Sequence, residues 1–167
     1  MIKTYRTQWA SAFFAAAFGL LVWNIAQADE GMTEESAQEL VQPFYDYLSG
    51  EASADEAFVN MAEGWRSYSS DTEYRLQEET AVSVDGLRTH VVPDLNWAIH
   101  DVIVNDDFII IRGEGSGTPI ADFLGVTPTG KTFSVMSIDI HEVVDGKIAR
   151  TWHIEGWAEA IRQLRAN

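Results

Sequence analysis

The residues best suited to chemistry flank one turn, Asp145-Gly146: Asp139 and His141 precede it, and His153 and Glu155 follow it. A histidine beside a carboxylate can move protons near neutral pH, because the ordinary imidazole pKa already lies there. For these four to cooperate, the segments around the turn must pair as strands, and the loop length sets the register. A two-residue loop pairs Val144 with Lys147 and sets Asp139 opposite Trp152. A three-residue loop, with Gly146 left-handed in a bulge, pairs Val143 with Lys147 and sets Asp139 opposite Thr151. The second register sorts the side chains more cleanly. One face then holds Met136, Ile138, Ile140, Ile148, Trp152 and Ile154, with Glu142 and Arg150 close enough to pair. The other holds Ser137, Asp139, His141, Ala149, Thr151, His153 and Glu155. A one-residue slip would scramble both faces, so the three-residue loop is expected. Ser137 then lies opposite His153, with Asp139 as the diagonal neighbour.

Such a polar face can be simply the wet side of a sheet. It can also line a polar pocket, since burying it without partners would be costly. The remaining histidines suggest less. His90 closes a short helix before Pro93, and His100 alternates with apolar neighbours as a sheet residue does. Neither an HxH nor an HExxH spacing supports a metal site from His100, His141 and His153, so no metal is expected. The glycines between Gly113 and Gly117 end a strand with no helix after them, which reads as a turn with a bulge rather than a phosphate cradle. Phe44, Trp65, Tyr68, Phe123 and Phe133 are core or pocket lining.

The elements that must position these groups can be read from periodicity. Thr33–Leu48 repeats apolar residues at helical spacing and stops at Gly50, with Pro43 inside. Ser53-Ala54-Asp55-Glu56 is a capping-box pattern opening a short helix through Met61. Residues 63–79 read as polar and irregular, and Val84–Val91 as a third helix. Strands are expected at Leu95–Val104, Phe108–Ser116, Lys131–Val143 and Lys147–Glu155, then a closing helix at Trp157–Leu164. Helices followed by an antiparallel meander make an α+β order.

Composition narrows the function classes. Of 167 residues none is cysteine, which removes thiolate nucleophiles, disulfides and iron–sulfur ligation. Twenty-six acidic against 11 basic residues give a formal charge of −15, which repels nucleic acid and anionic membranes, so neither is expected as a partner. Met1–Trp9 carries Lys3 and Arg6, Ala10–Ile25 is free of charge, and Ala26-Gln27-Ala28 precedes Asp29. That is the pattern of a secretory signal peptide over residues 1–28, leaving residues 29–167 as one periplasmic or secreted domain.

Several motifs in register resemble one family. Pro93-Asp94-Leu95-Asn96-Trp97, Gly115-Ser116-Gly117-Thr118, Phe123-Leu124-Gly125-Val126 and Pro128-Thr129-Gly130-Lys131 look like the SnoaL-like polyketide cyclases, or ester cyclases. Ser137-Ile138-Asp139-Ile140, Asp145-Gly146-Lys147-Ile148 and Trp152 with Arg162-Gln163-Leu164 continue the match. The resemblance spans roughly Glu34–Leu164. It implies a cone-shaped barrel of the nuclear-transport-factor-2-like superfamily, a curved antiparallel sheet wrapped around N-terminal helices with a central pocket. It also implies a homodimer packed through the outer sheet face and an intramolecular aldol closure without cofactor. In that family a carboxylate on the last strand acts with a histidine on the preceding one. Here Asp139 and His153 present the pair with its residue types exchanged, while His141 and Glu155 keep the order. Pro119 stands where many relatives carry a histidine after Gly-Thr.

The expectation is an exported, cofactor-independent protein acting on a small apolar carbonyl or ester compound. His153 would move the proton and Asp139 would orient it. His141 and Glu155 are the other candidate pair, and Ser137 and Thr151 are candidate pocket residues. The alternative is a non-catalytic periplasmic binding or accessory domain that holds a hydrophobic ligand unchanged.

Overall fold

The computed structural model describes residues 31–166, so the expected signal segment lies outside the described residues. Helix α1 (Glu34–Ser49) starts where Thr33 Oγ1 accepts a hydrogen bond from the Ser36 amide and Ser36 Oγ accepts one from the Thr33 amide. Gly50 ends it in the left-handed region at φ 82°. Its buried stripe, Ala37, Val41, Phe44 and Tyr45, follows helical spacing and faces the sheet.

Ser53 caps α2 as expected, but that helix stops at Ala57 (Ala54–Ala57), and Met61 already begins β1 (Met61–Tyr68). The stretch expected to be irregular therefore contains β1, β2 (Tyr74–Leu76) and the start of α3 (Gln77–His90). Strand β1 escaped the pattern because its inward positions are not uniformly apolar: Trp65 and Ser67 alternate inward. The first half of α3 escaped because only Thr80 is buried there. The Glu79 carboxylate opens that helix by accepting from the Leu76 amide at 2.9 Å.

The four expected strands are present as β3 (Asn96–Asn105), β4 (Phe108–Gly117), β5 (Phe133–Val144) and β6 (Lys147–Glu155), closed by α4 (Trp157–Arg165). They form an antiparallel meander within an open six-stranded sheet of order β2-β1-β6-β5-β4-β3. Strand β1 joins β6 in parallel, a pairing between distant segments that no local pattern announces. Gln163 fastens α4 to the sheet, giving and taking one hydrogen bond each with the Ser134 backbone.

The hairpin departs from the expected register. Its loop has two residues, Asp145 at φ 50° and Gly146 at φ 73°, so Val144 pairs with Lys147. One extra residue, Ala149, then bulges out of β6, and Glu142 pairs with Arg150 directly. Beyond the bulge the register differs by two residues from the expected one, which keeps every face assignment there. Asp139 lies opposite His153 rather than Thr151, and Ser137 opposite Glu155 rather than His153. Ile148, before the bulge, is fully buried on the inner face instead of the outer one.

The two faces have opposite fates. Ser137, Asp139, His141 and Thr151 are buried under the helices, so this is not the wet side of the sheet. The apolar outer face is the exposed one, with Met136 at 59% and Ile154 at 69% exposure.

Gly113–Gly117 is strand interior rather than a turn, and the bulge lies across from it at His100 in β3. Glycine is needed because Trp97 lies flat against β4: a Cβ at Gly115 would stand 2.8 Å from its ring. Gly115→Ala is expected to lower stability by about 1–3 kcal/mol through overpacking. A urea midpoint equal to that of the wild type would show instead that the indole can move away freely.

Candidate functional site

Register places the inner-face side chains in rows. One row runs Arg75, Ser67, Thr151, His141 across β2, β1, β6 and β5; the next holds His153 and Asp139; a third holds Glu155 and Ser137. Helices α1 and α3 close over these rows and leave a cavity of about 300 Å3. That is at the small end of the roughly 300–1,000 Å3 typical of small-molecule sites. Phe44, Leu48, Val84, Leu87, Leu95, Trp97 and Trp157 supply its apolar lining. Asp139, Thr151, His153 and Glu155 face it from the sheet, and Ser67, Ser69, Arg75, Thr80 and Ser83 surround its other end.

The expected site residues divide into three groups. Asp139, His153 and Glu155 come together at the cavity, each offering one nitrogen or oxygen within 4.8 Å of the others'. His141 is fully buried behind the wall, and Trp65 and Ser137 are likewise core residues rather than cavity lining. Tyr68 does not reach the cavity either, because it stacks on Trp152 at 5.5 Å beside the outer-face residues Ile138, Ile140 and Ile154. Phe123 and Phe133 stack on each other and meet the edge of Trp157, so they back the wall that Trp157 forms. Phe44 and Thr151 do line the cavity.

Asp139 is reached by a residue outside the expected site. The Tyr45 hydroxyl, on the buried stripe of α1, donates to Asp139 Oδ2 at 2.9 Å and lies 3.2 Å from His141 Nε2. His141 Nδ1 lies 2.9 Å from Thr151 Oγ1, which accepts from Trp65 Nε1 at 3.0 Å. The ends of this chain set its direction. Indole can only donate, and Asp139, in its ionised form, can only accept, which sets the direction for that form. Each hydroxyl then passes its proton onward, and His141 is the neutral Nε2–H tautomer. A tyrosine in a buried stripe needs a partner for its hydroxyl, which was the one signal in the sequence.

The same burial shifts the charges. It pushes Asp139 up to about 7, with the Glu155 charge adding to it and the Tyr45 hydrogen bond and His153 working against it. Burial holds His141 down at about 3, helped by nearby His153. His153 goes the other way. Burial alone would lower it, but its 2.7 Å hydrogen bond to Glu155 and that carboxylate's charge raise it, with Asp139 adding. Glu155, not Asp139, therefore orients His153, and Trp157 Nε1 holds the second Glu155 oxygen at 3.0 Å. Asp139, His153 and Glu155 are also the residues that could ligate a cation. Such an ion would displace hydrogen bonds that already satisfy both Glu155 oxygens.

The arrangement offers a carboxyl that can gain or lose a proton near neutrality, beside an imidazole biased toward its charged form. His141 is a fixed link instead. Linkage makes this testable. Folded Asp139 keeps its proton up to about 7, whereas the unfolded chain releases it near 3.8, so its contribution falls as pH rises through that window. His141 has the opposite sign: the unfolded chain takes a proton near 6.5, while the folded one resists until about 3. Asp139→Asn removes only the first effect. Between pH 7 and pH 4 the variant is expected to lose stability relative to wild type by about 1.4 kcal/mol per pH unit. A constant difference in urea unfolding across that range would return Asp139 to ordinary acidity.

Comparison with known proteins bears on the fold and the family. Residues 70–164 match the family profile described as SnoaL-like polyketide cyclase. Among solved structures, TsrD from Streptomyces laurentii is similar at TM-score 0.69 and 25% identity, covering 81% of this chain and 99% of its own. IdmH from Streptomyces antibioticus, a candidate polyketide cyclase, aligns at TM-score 0.68 and 19% identity over 78% of this chain and 99% of its own. An NTF2-like protein of unknown function from Burkholderia pseudomallei aligns at TM-score 0.61 and 14% identity, over 81% of this chain and all of that one. No curated protein sequence matches the chain.

Proposed function

The chain belongs to the SnoaL-like polyketide cyclase family, and from that premise we propose that it is an exported acid/base enzyme enolising a small carbonyl or ester compound. The observation that carries this reading is Asp139, a carboxyl buried at an apolar cavity with its pKa displaced to about 7. A base so poised can accept a proton from the carbon beside a carbonyl and hand it back. His153, biased toward its cationic form by Glu155, supplies positive charge where the enolate oxygen forms. In an aldol closure the enolate carbon then bonds to a second carbonyl of the same molecule, whose oxygen takes the proton. In an isomerisation the proton returns to a different carbon. Neither route has a leaving group or a change of oxidation state, so neither needs a redox cofactor.

This assigns the proton transfer to Asp139 and the electrostatic role to His153, the reverse of the sequence expectation, because Glu155 holds the imidazole. The test is exchange of α-hydrogens for solvent deuterium. Compounds that the protein retains from its host's metabolite extract would be incubated in deuterated buffer and followed by mass and by chromatographic retention. Wild type is expected to exchange and then convert a retained compound, while Asp139→Asn loses about 10²-fold or more. With a converted compound, kcat/KM should rise through about pH 7 as Asp139 ionises. Tyr45→Phe should move that rise upward, since the lost hydrogen bond favours the carboxylate. A retained compound that neither exchanges nor converts would make this a carrier.

The proposal extends to location and assembly. The charge and apolar pattern of residues 1–28 supports export to the periplasm or beyond. The exposed outer-face residues Met136, Ile140 and Ile154 support a homodimer packed through that face. Native mass spectrometry of the protein from its own cells reads both, as a dimer of chains beginning at Asp29. A monomer, or a chain still carrying Met1, would overturn the corresponding part.

A further inference from the structure

Arg75 is the one cation among the cavity-lining residues that is neither balanced nor tied down. The other described arginines are engaged. Arg66 lies over the Tyr74 ring, Arg88 donates to Tyr47 O and Arg165 to Gly125 O, while Arg112, Arg150 and Arg162 pair with carboxylates. Arg75 makes no hydrogen bond or ion pair among the described residues, although the chain is strongly acidic. Its strand partner is Ser67, which sets it on the inner face at the edge strand β2. Its charge reaches His153, whose hold on a proton it weakens.

A second observation points to the same end of the cavity. Thr80 is 7% exposed, and its hydroxyl oxygen is buried with no hydrogen-bond partner. Native interiors rarely leave such a group unsatisfied, and each one calls for an explanation such as a water or an ion at that place. Thr80, Ser83, Val84 and Leu87 lie on one stripe of α3, polar toward Arg75 and apolar beyond it. The cavity is therefore graded from an unpaired guanidinium, with the buried and unpartnered Thr80 hydroxyl beside it, to Leu87, Leu95 and Trp97 at the other end. Asp139 and His153 stand in the next row of the sheet.

We propose that the cavity takes an amphipathic carboxylic acid, whose carboxylate pairs with Arg75 and accepts a hydrogen bond from Thr80 while its apolar body lies along α3. This rests on reading the cavity as the small-molecule site and names the class of molecule. A guanidinium favours a carboxylate over its ester, because the ester carries no charge to pair with it, and at exposed Arg75 solvent screens that pairing. The pairing would hold the acid end away from Asp139, leaving the carbonyl elsewhere in the molecule to react.

The test compares 2-naphthoate with methyl 2-naphthoate by titration calorimetry on the full chain. Wild type is expected to bind the carboxylate about three- to fivefold more tightly, with the preference shrinking as salt rises. Arg75→Met, at an exposed position that leaves folding intact by circular dichroism, should erase the preference while ester affinity stays unchanged. Thr80→Val should weaken the carboxylate about threefold. Equal affinities, a preference for the ester, no binding of either probe at millimolar concentration, or a preference that survives in Arg75→Met would each overturn the inference. None of these results depends on turnover. A carboxylate preference without α-hydrogen exchange would sustain this inference and defeat the enzymatic reading, and the converse would separate them the other way.

Discussion

The structure is organised around hydrogen-bonding the polar groups that its sheet buries. The inner face carries Ser137, Asp139, His141 and Thr151 where a domain of this size would ordinarily place aliphatic side chains. Each left unpaired would cost about 1–3 kcal/mol, more for a charged group, against a total stability of order 5–15 kcal/mol. One connected chain prevents this, running from Trp65 through Thr151, His141 and Tyr45 to Asp139. Because its members sit on β1, β6, β5 and α1, satisfying it also fixes how the first helix lies across the sheet. Trp97 and Ser137 make a similar pair one row away, which the bare backbone of Gly113 and Gly115 allows.

That solution creates the chemical asymmetry of the site. Asp139 and Glu155 lie close together on neighbouring strands, yet their partners differ in kind. Asp139 is met by one hydroxyl, and burial outweighs that bond and the His153 charge, so the proton is held toward neutrality. Glu155 is met by an imidazole that it can keep charged and by an indole N–H. Neighbouring groups pushed toward different protonation states are a recurring basis of acid/base division of labour. The neutral His141 contributes by staying uncharged, since an imidazolium in its place would face Tyr45 and Thr151 with no carboxylate in contact.

Much of this was legible from residue types. Capping at Ser53, the stop at Gly50, the strands β3 to β6 and the first and last helices all follow local patterns, and the structure places them within a few residues. The segregation of the hairpin into a polar and an apolar face was also readable. It survived a wrong loop length because the actual register differs from the expected one by two residues, and period two is indifferent to that shift. The family resemblance carried the architecture further, to a curved sheet around helices with a pocket. What local patterns could not show was β1, whose inward residues are partly polar and whose partner, β6, is distant in the chain.

The sequence by itself determined which chemistry-bearing residues share a surface, because alternation along a strand is a local consequence of backbone geometry. It also determined the acidity of the chain and the absence of thiol chemistry, which are matters of composition. Only the tertiary structure decided which side of the sheet is dry, since that depends on where α1 and α3 lie. It likewise decided that His141 is a fixed link, that Tyr45 holds Asp139, and that Glu155 holds His153. Hydrogen-bond partners and desolvation arise between segments far apart in sequence, and a pKa is set by that surrounding space rather than by the residue that bears it.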